Sequence, residues 1–269
     1  FFDEDGVVKN ATFKQPNDDP APDEQFLVTV QGADVDVTDS EFEVTEDFVD
    51  EIVHVFYAAG ATGKITDNTL TGYKNVGVLV VRPGTSATVE RNEINGVGVN
   101  AKNTFPENGI RVNGGATATV KNNVIRDHWW GDRADPPLGL PYAFGVIAFN
   151  SDDVTVAHNT LVGNQVSISF TGDENKALHN TVEATVPGSN ADPSAPNYGA
   201  WVLGKKNGLL KNDFTTASAD TAVRVFGGSV NTKLIGNTFD GFDTDIADDG
   251  NNTKTAGPPG TGGPPGPTP

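Results

Sequence analysis

The chain contains no cysteine and no methionine. The first absence excludes disulfides, thiolate metal sites and a cysteine nucleophile. The second leads us to expect that the 269 residues follow a removed segment rather than an initiator. Basic residues are scarce, 18 Lys and Arg against 36 Asp and Glu, for a formal net charge of −18. Such a surface repels nucleic acid and anionic lipid, so neither is an expected partner. No apolar run suits a signal peptide or a membrane span, so membrane insertion is not expected. Helical periodicity is missing over any useful length. The one ambiguous stretch, "TEDFVDEIVHVF" at 45–56, reads as a strand with an acidic lead-in. The four histidines share no ligand spacing, so no transition-metal site is expected.

What the sequence does contain is a repeat. "ATVERNEINGV" at 87–97 returns as "ATVKNNVIRDH" at 118–128, then more loosely as "VTVAHNTLVGN" at 154 and "TKLIGNTFDGF" at 232. Aligned on this pattern, nine copies end on Phe13, Phe42, Leu70, Ile94, Ile125, Leu161, Val182, Phe214 and Phe239, at intervals of 21 to 36 residues. Asn68, Asn92, Asn123, Asn159, Asn180, Asn212 and Asn237 stand two positions before the last seven of these, with Ala11 and Ser40 in the first two copies. Short strands and turns at this period signal a solenoid. Two properties recommend asparagine at the bend. It tolerates the left-handed backbone region, and its amide can bond the copies above and below in a buried ladder. The apolar residues at Asn−3 and Asn+2, such as Val89 and Ile94, should then both point inward.

A second motif alternates with period two, the mark of a strand with one buried face. It reads "GVLVVR" (77), "GIRVNG" (109), "GVIAFN" (145), "QVSISF" (165), "GAWVLG" (199) and "AVRVFG" (222). Each coil thus holds three short strands. Asn ladder, coil length and GVxV strands together resemble the right-handed parallel β-helix of the NosD-like and carbohydrate-binding/sugar-hydrolase (pectate-lyase-like) repeat families, over about residues 7 to 248. The expected fold is therefore all-β, a right-handed parallel β-helix of about nine coils over residues 1–250. A Pro/Gly-rich tail or linker, 251–269, follows. The resemblance fixes fold better than activity, because these families include lyases, hydrolases, epimerases, adhesins and fibres. The dispersed acidity, with few lysines and much Asp, Thr, Val and Gly, also resembles haloarchaeal-type secreted surface proteins. An ordinary acidic extracellular domain is the alternative, and either implies an extracellular or cell-surface location.

Coil-length variation falls mostly at one corner, after the Asn-x-apolar strand and before the GVxV strand, with inserts near 95–108, 126–144 and 183–198. The resemblance implies that the outer face of the GVxV sheet, beside such loops, can hold polysaccharide. The longest insert, "RDHWWGDRADPPLGLPY", offers Trp129 and Trp130 as flat apolar faces for sugar or protein. Asp127, His128 and Asp132 stand beside them for acid–base work, with Arg133 and Asp135 nearby. The same residues can equally form a loop that covers the solenoid flank. Alternation assigns the outward positions of the sheet to Leu79, Val81, Arg111, Asn113, Ile147, Phe149, Ser167, Ser169, Trp201, Leu203, Arg224 and Phe226, with no acid before Asp245. Of these, Trp201, Phe149, Arg111 and Arg224 join Trp129 and Trp130 as candidate ligand-binding residues. The resemblance implies clustered carboxylates for a calcium-dependent lyase or several aspartates for a hydrolase, and this stripe shows neither. No cofactor is expected; the acidic "DTDIADDGNN" at 243–252 could hold calcium loosely, but it lacks the spacing of a calcium loop and reads as a solvated terminal coil.

His158 and His179 precede ladder asparagines and read as repeat-surface residues. Asn10 and Asn251 head formal glycosylation sequons. With no cap helix before the first coil and a Pro/Gly tail behind the last, the ends suit either a piece of a larger surface protein or subunits stacked end to end. Two functions from different classes follow. The first is a structural or adhesive surface protein that pairs with like subunits or other surface proteins, in the extreme a fibre assembled end to end; a stalk module of a larger surface protein is a separate, blander alternative. The second is a polysaccharide-binding or polysaccharide-processing protein with glycan partners.

Overall fold

The computed structural model describes residues 1–15, 25–44, 52–98, 106–130, 142–185, 197–217 and 221–257. Their strands stack in three parallel sheets of ten, nine and nine members, each strand pairing with its counterpart one coil away. Each coil runs through the first sheet, bends sharply into the second, then turns through the insert-bearing corner into the third. In the second sheet the register joins Phe13, Phe42, Leu70, Ile94, Ile125, Leu161, Val182, Phe214 and Phe239 in one inward row. These are the nine repeat positions expected from the sequence. Val89 and Ile94, on either side of their bend, are both fully buried. The described part of the ambiguous stretch is strand, Ile52–Ala58, and its acidic lead-in lies outside the described residues.

The asparagines do form a ladder, but for only one of the two expected reasons. Left-handed backbone belongs to the residue before each of them: Asp67 (φ 59°), Arg91 (55°), Asn122 (57°), His158 (57°), His179 (53°), Lys211 (55°) and Gly236 (70°). Each ladder asparagine instead acts through its amide. Asn92 donates its backbone N–H and its Nδ2 to Oδ1 of Asn123, at 2.9 and 3.0 Å, and Asn123 treats Asn159 alike. A further Nδ2 bond reaches a strand carbonyl of the preceding coil, Ile65 for Asn92 and Val89 for Asn123. Ser40 and Ala11 extend the chain of bonds, Ser40 N–H to Asn68 Oδ1 and Ala11 N–H to Ser40 Oγ. The bend therefore needs two residue types side by side, one that tolerates φ > 0 and one that satisfies buried backbone.

A second, shorter ladder lies at the bend between third and first sheets and was not expected. Val154 N–H donates to Asn175 Oδ1 and Asn175 N–H to Asn207 Oδ1, both at 2.8 Å. Its signal is present in "GDEN" at 172 and "GKKN" at 204, where the asparagine again follows a residue with positive φ, Glu174 or Lys206.

In the third sheet the alternation holds, with Val78, Val80, Ile110, Val112, Val146, Ala148, Ile168 and Phe170 in the interior. Two of the expected outward assignments need correction. Register places Ser167 in the row of Gly77, Gly109, Gly145 and Gly199, and Asp245 beyond Ala222 in that same row. This row lies against the corner side chains rather than on the outer face, except in the last coil, where Asp245 is exposed. A Cβ on Gly199 would come within 2.6 Å of the Phe214 ring, and one on Gly109 within 3.0 Å of His128. Close approach, not a turn, is what demands glycine here.

Candidate functional site

The insert-bearing corner is held by buried polar groups. Tyr73 and His128 pack inside it, and a column of rings runs from Phe42 through His54 to Tyr73 and His128 with centroids 5.1–5.7 Å apart. His128 Nδ1 lies 2.6 Å from Asn164 Oδ1, and Asn164 Nδ2 donates to the Ile125 carbonyl, which fixes the amide orientation. Nδ1 therefore carries the proton, and Nε2 accepts from the Tyr73 hydroxyl. Burial pulls the His128 pKa down to about 4 and that of His54 to about 3. The same burial drives Tyr73 and Glu107 well above their ordinary values.

Two of these buried groups close the loops at their bases. Glu107 accepts the Val97 N–H on both carboxylate oxygens at 3.1 Å, bracketing the first insert. Gln165 Oε1 accepts from Trp130 N–H (3.3 Å) and Ala143 N–H (2.9 Å), bracketing the long one. Tyr73, Glu107, Asn164 and Gln165 were not singled out in the sequence, since each is one polar residue in a loop of irregular length. The nearest signal was the repeated start of the GVxV strand, where Gln165 stands immediately before the strand.

This arrangement reassigns the acid–base candidates. His128 is fully buried with both ring nitrogens engaged, so it faces the core and not a substrate. Asp127 beside it is half-buried, its pKa raised by desolvation, and its backbone carries φ 64°. Asp132, with Arg133 and Asp135, lies outside the described residues. Trp129 is fully buried and Trp130 is 7% exposed, so neither shows a free face to solvent. They cover the solenoid flank at this corner.

The outer face of the third sheet brings the other candidates together. Its upper half is an apolar patch of Val53, Val76 and Leu79 under Phe26, Phe56 and Val81. Its lower half is aromatic and half-exposed. Trp201 stands among Tyr142 (4.4 Å), Phe226 (5.2 Å), Tyr198 (5.5 Å) and Phe144 (5.7 Å), every ring meeting it at 61–81° and none stacked on it. Leu203, 39% exposed, borders the cluster. Arg224, next to Trp201 in register, lies over Phe226 and pairs with Asp249. Arg111, three strands away, lies 5.6 Å from the centre of Phe149. Ser169, in register beside Trp201, is fully buried under this cluster. Trp201, Phe149, Arg111 and Arg224 thus share one face, while Trp129 and Trp130 do not join it.

Among the described residues no group of three or more His, Asp or Glu side chains is placed to hold a metal ion. Asn10 and Asn251 are both exposed, Asn10 at a left-handed bend. His158 and His179 lie exposed on the outer ridge, stacked 5.1 Å apart, as expected of repeat-surface residues.

Residues 53–239 match the family model described as the right handed beta helix region. No curated protein sequence matches the chain. Among solved structures, the A-module of Azotobacter vinelandii mannuronan C-5 epimerase AlgE4 is 12% identical with a TM-score of 0.48, over 94% of this chain and 79% of that one. The AlgE6 A-module from the same organism is 14% identical with a TM-score of 0.41, over 94% and 81%. The Dettilon tailspike protein (gp208) is 13% identical with a TM-score of 0.40, over 93% and 62%.

Proposed function

The chain belongs to the right-handed β-helix family, and from that premise we propose that it is an extracellular polysaccharide-binding protein that recognises glycan on the outer face of its third sheet, around Trp201. The observation that carries this reading is the half-exposed Trp201 among four other aromatic rings on a rigid sheet. Sugar rings present C–H faces that pack on such surfaces, and rings fixed by neighbours lose little freedom on binding. The two guanidiniums are held by ring faces, and Arg224 also by Asp249, so they border the patch as oriented donors. Recognition is the part of this reading that the geometry supports: of the three residues expected for proton transfer, His128 is locked in the core, Asp127 is half-buried and Asp132 lies outside the described residues. Adhesion and glycan binding then become one activity. End-to-end assembly has no distinguishing feature among the described residues.

The test is affinity electrophoresis and calorimetry against neutral and acidic polysaccharides, with Trp201→Ala beside the parent. At least one glycan should bind, and the variant should bind it tenfold or more weakly with an unchanged far-UV spectrum. Absence of binding to every glycan, or equal binding by Trp201→Ala, would remove the reading.

A further inference from the structure

The outer face of the first sheet carries a pattern that the Trp201 site does not use. Register aligns Lys176, Gly208, Lys233 and Lys254 in one outward column. Two residues along each strand, Leu178, Leu210 and Ile235 form a second outward column. All three lysines are exposed, as is Ile235 at 38%. Among the described residues, none of the three lysines has an ion pair, and no carboxylate stands in either column of these strands. In a chain with twice as many acids as bases, that local excess runs against the whole. The earlier coils differ. There Lys121 pairs with Glu90 on the same face, and Asp36 lies beside Lys64 and accepts its backbone N–H.

We propose that this face is a second binding surface, and that it takes a linear acidic polysaccharide lying along the solenoid axis. Strands of a sheet are about 4.8 Å apart, so Lys176 to Lys254 spans about 14 Å with cations at the first, third and fourth strands. A carboxylated glycan has the two features this face would meet. Its charges recur along one edge, towards the lysines, and its rings show C–H faces, towards Leu178, Leu210 and Ile235. Gly208 leaves the lysine column open at its middle, where a ring can approach the backbone. Single-stranded nucleic acid would need aromatic platforms for its bases, and these columns have none. The net charge of −18 opposes approach at long range, but at about 0.1 M salt fields are screened within about 10 Å. Contact at the lysines then decides the outcome.

The probe is polygalacturonate, with dextran and single-stranded oligo-dT as comparisons, measured by calorimetry and affinity electrophoresis at about 0.1 M and about 1 M NaCl. The parent should bind polygalacturonate at the lower salt and lose it at the higher. The triple variant Lys176→Glu, Lys233→Glu, Lys254→Glu should bind at least tenfold more weakly. All three positions are exposed, so circular dichroism should show the fold intact, and single reversals would serve if it did not. Trp201→Ala should keep this binding, which separates the result from the fate of the third-sheet site. The proposal is overturned by absence of polygalacturonate binding at the lower salt, by equal binding of the charge-reversed variants, or by loss of binding in Trp201→Ala. Tighter binding of oligo-dT would also overturn it, as would self-association abolished by the triple variant in place of glycan binding.

Discussion

At the scale of single residues, the bend of each coil divides two jobs between neighbours. Asn122 adopts φ 57° and is exposed, while Asn123 is buried with its amide in the ladder. Asn122→Gly should therefore be neutral or slightly stabilising, because glycine enters the left-handed region freely. Asn123→Gly removes the acceptor of Asn92 N–H and Nδ2 and leaves the Val89 carbonyl without its donor. With several buried groups unsatisfied, the loss should be about 3 kcal/mol or more. Urea unfolding of the two variants checks this, and equal losses would contradict the division of labour. The ladder positions were legible because the amide recurs at a fixed offset from an inward apolar residue. The left-handed residue was not, because that position accepts Asp, Arg, Asn, His and Lys alike, so composition leaves no trace of the constraint.

At the scale of the element, the insert-bearing corner gathers groups that titrate against folding in opposite directions. His54 and His128 have folded pKa values near 3 and 4, below the ordinary 6.5. Between those limits the unfolded chain binds protons that the folded chain refuses, so their contribution is complete above about pH 6.5 and is lost as pH falls. Glu107 is displaced upward by burial, so its contribution has the opposite sign, the folded chain holding that proton to higher pH than the unfolded chain does. Half-buried Asp127 acts with Glu107 in sign, and Lys74 favours the ionised form of Glu107. In Glu107→Gln that opposing contribution is gone, so stability should rise more steeply with pH, by at most about one proton, roughly 1.4 kcal/mol per pH unit. Urea unfolding at pH 5 and 6.5 measures it, and an unchanged slope would show that Glu107 is ionised in the fold. The sequence identified this corner from its uneven loop lengths, yet it left open whether His128 and the two tryptophans face a ligand or cover the solenoid flank. Alternation gives direction along a strand, and these residues follow the strand's end, where only contacts with Asn164 and Gln165 from the next coil determine which way they turn.

At the scale of the whole molecule, charge was legible as a total but not as a pattern. The count of 36 acids to 18 bases is read directly, whereas the alignment of Lys176 with Lys233 and Lys254 exists only once register is known, since 57 and 21 residues separate them in the chain. The total has its own consequence. Ion pairs such as Lys9–Asp39, Lys14–Glu43 and Lys206–Glu174 are largely exposed and contribute little. Repulsion among the surplus carboxylates is spread over every coil and favours the expanded chain. Added salt screens both, but it has far more repulsion than attraction to remove. The unfolding midpoint should therefore rise, by roughly 5 °C between about 0.05 M and about 1 M NaCl, a shift equivalent to a few kcal/mol in a chain of this length. Sodium chloride is the appropriate salt, because sulfate would also strengthen apolar burial and confuse the cause. Scanning calorimetry across that range decides the sign. A falling midpoint would mean that the ion pairs outweigh the surplus charge, and the same salt series would then weaken the fold together with polygalacturonate binding, instead of moving the two in opposite directions.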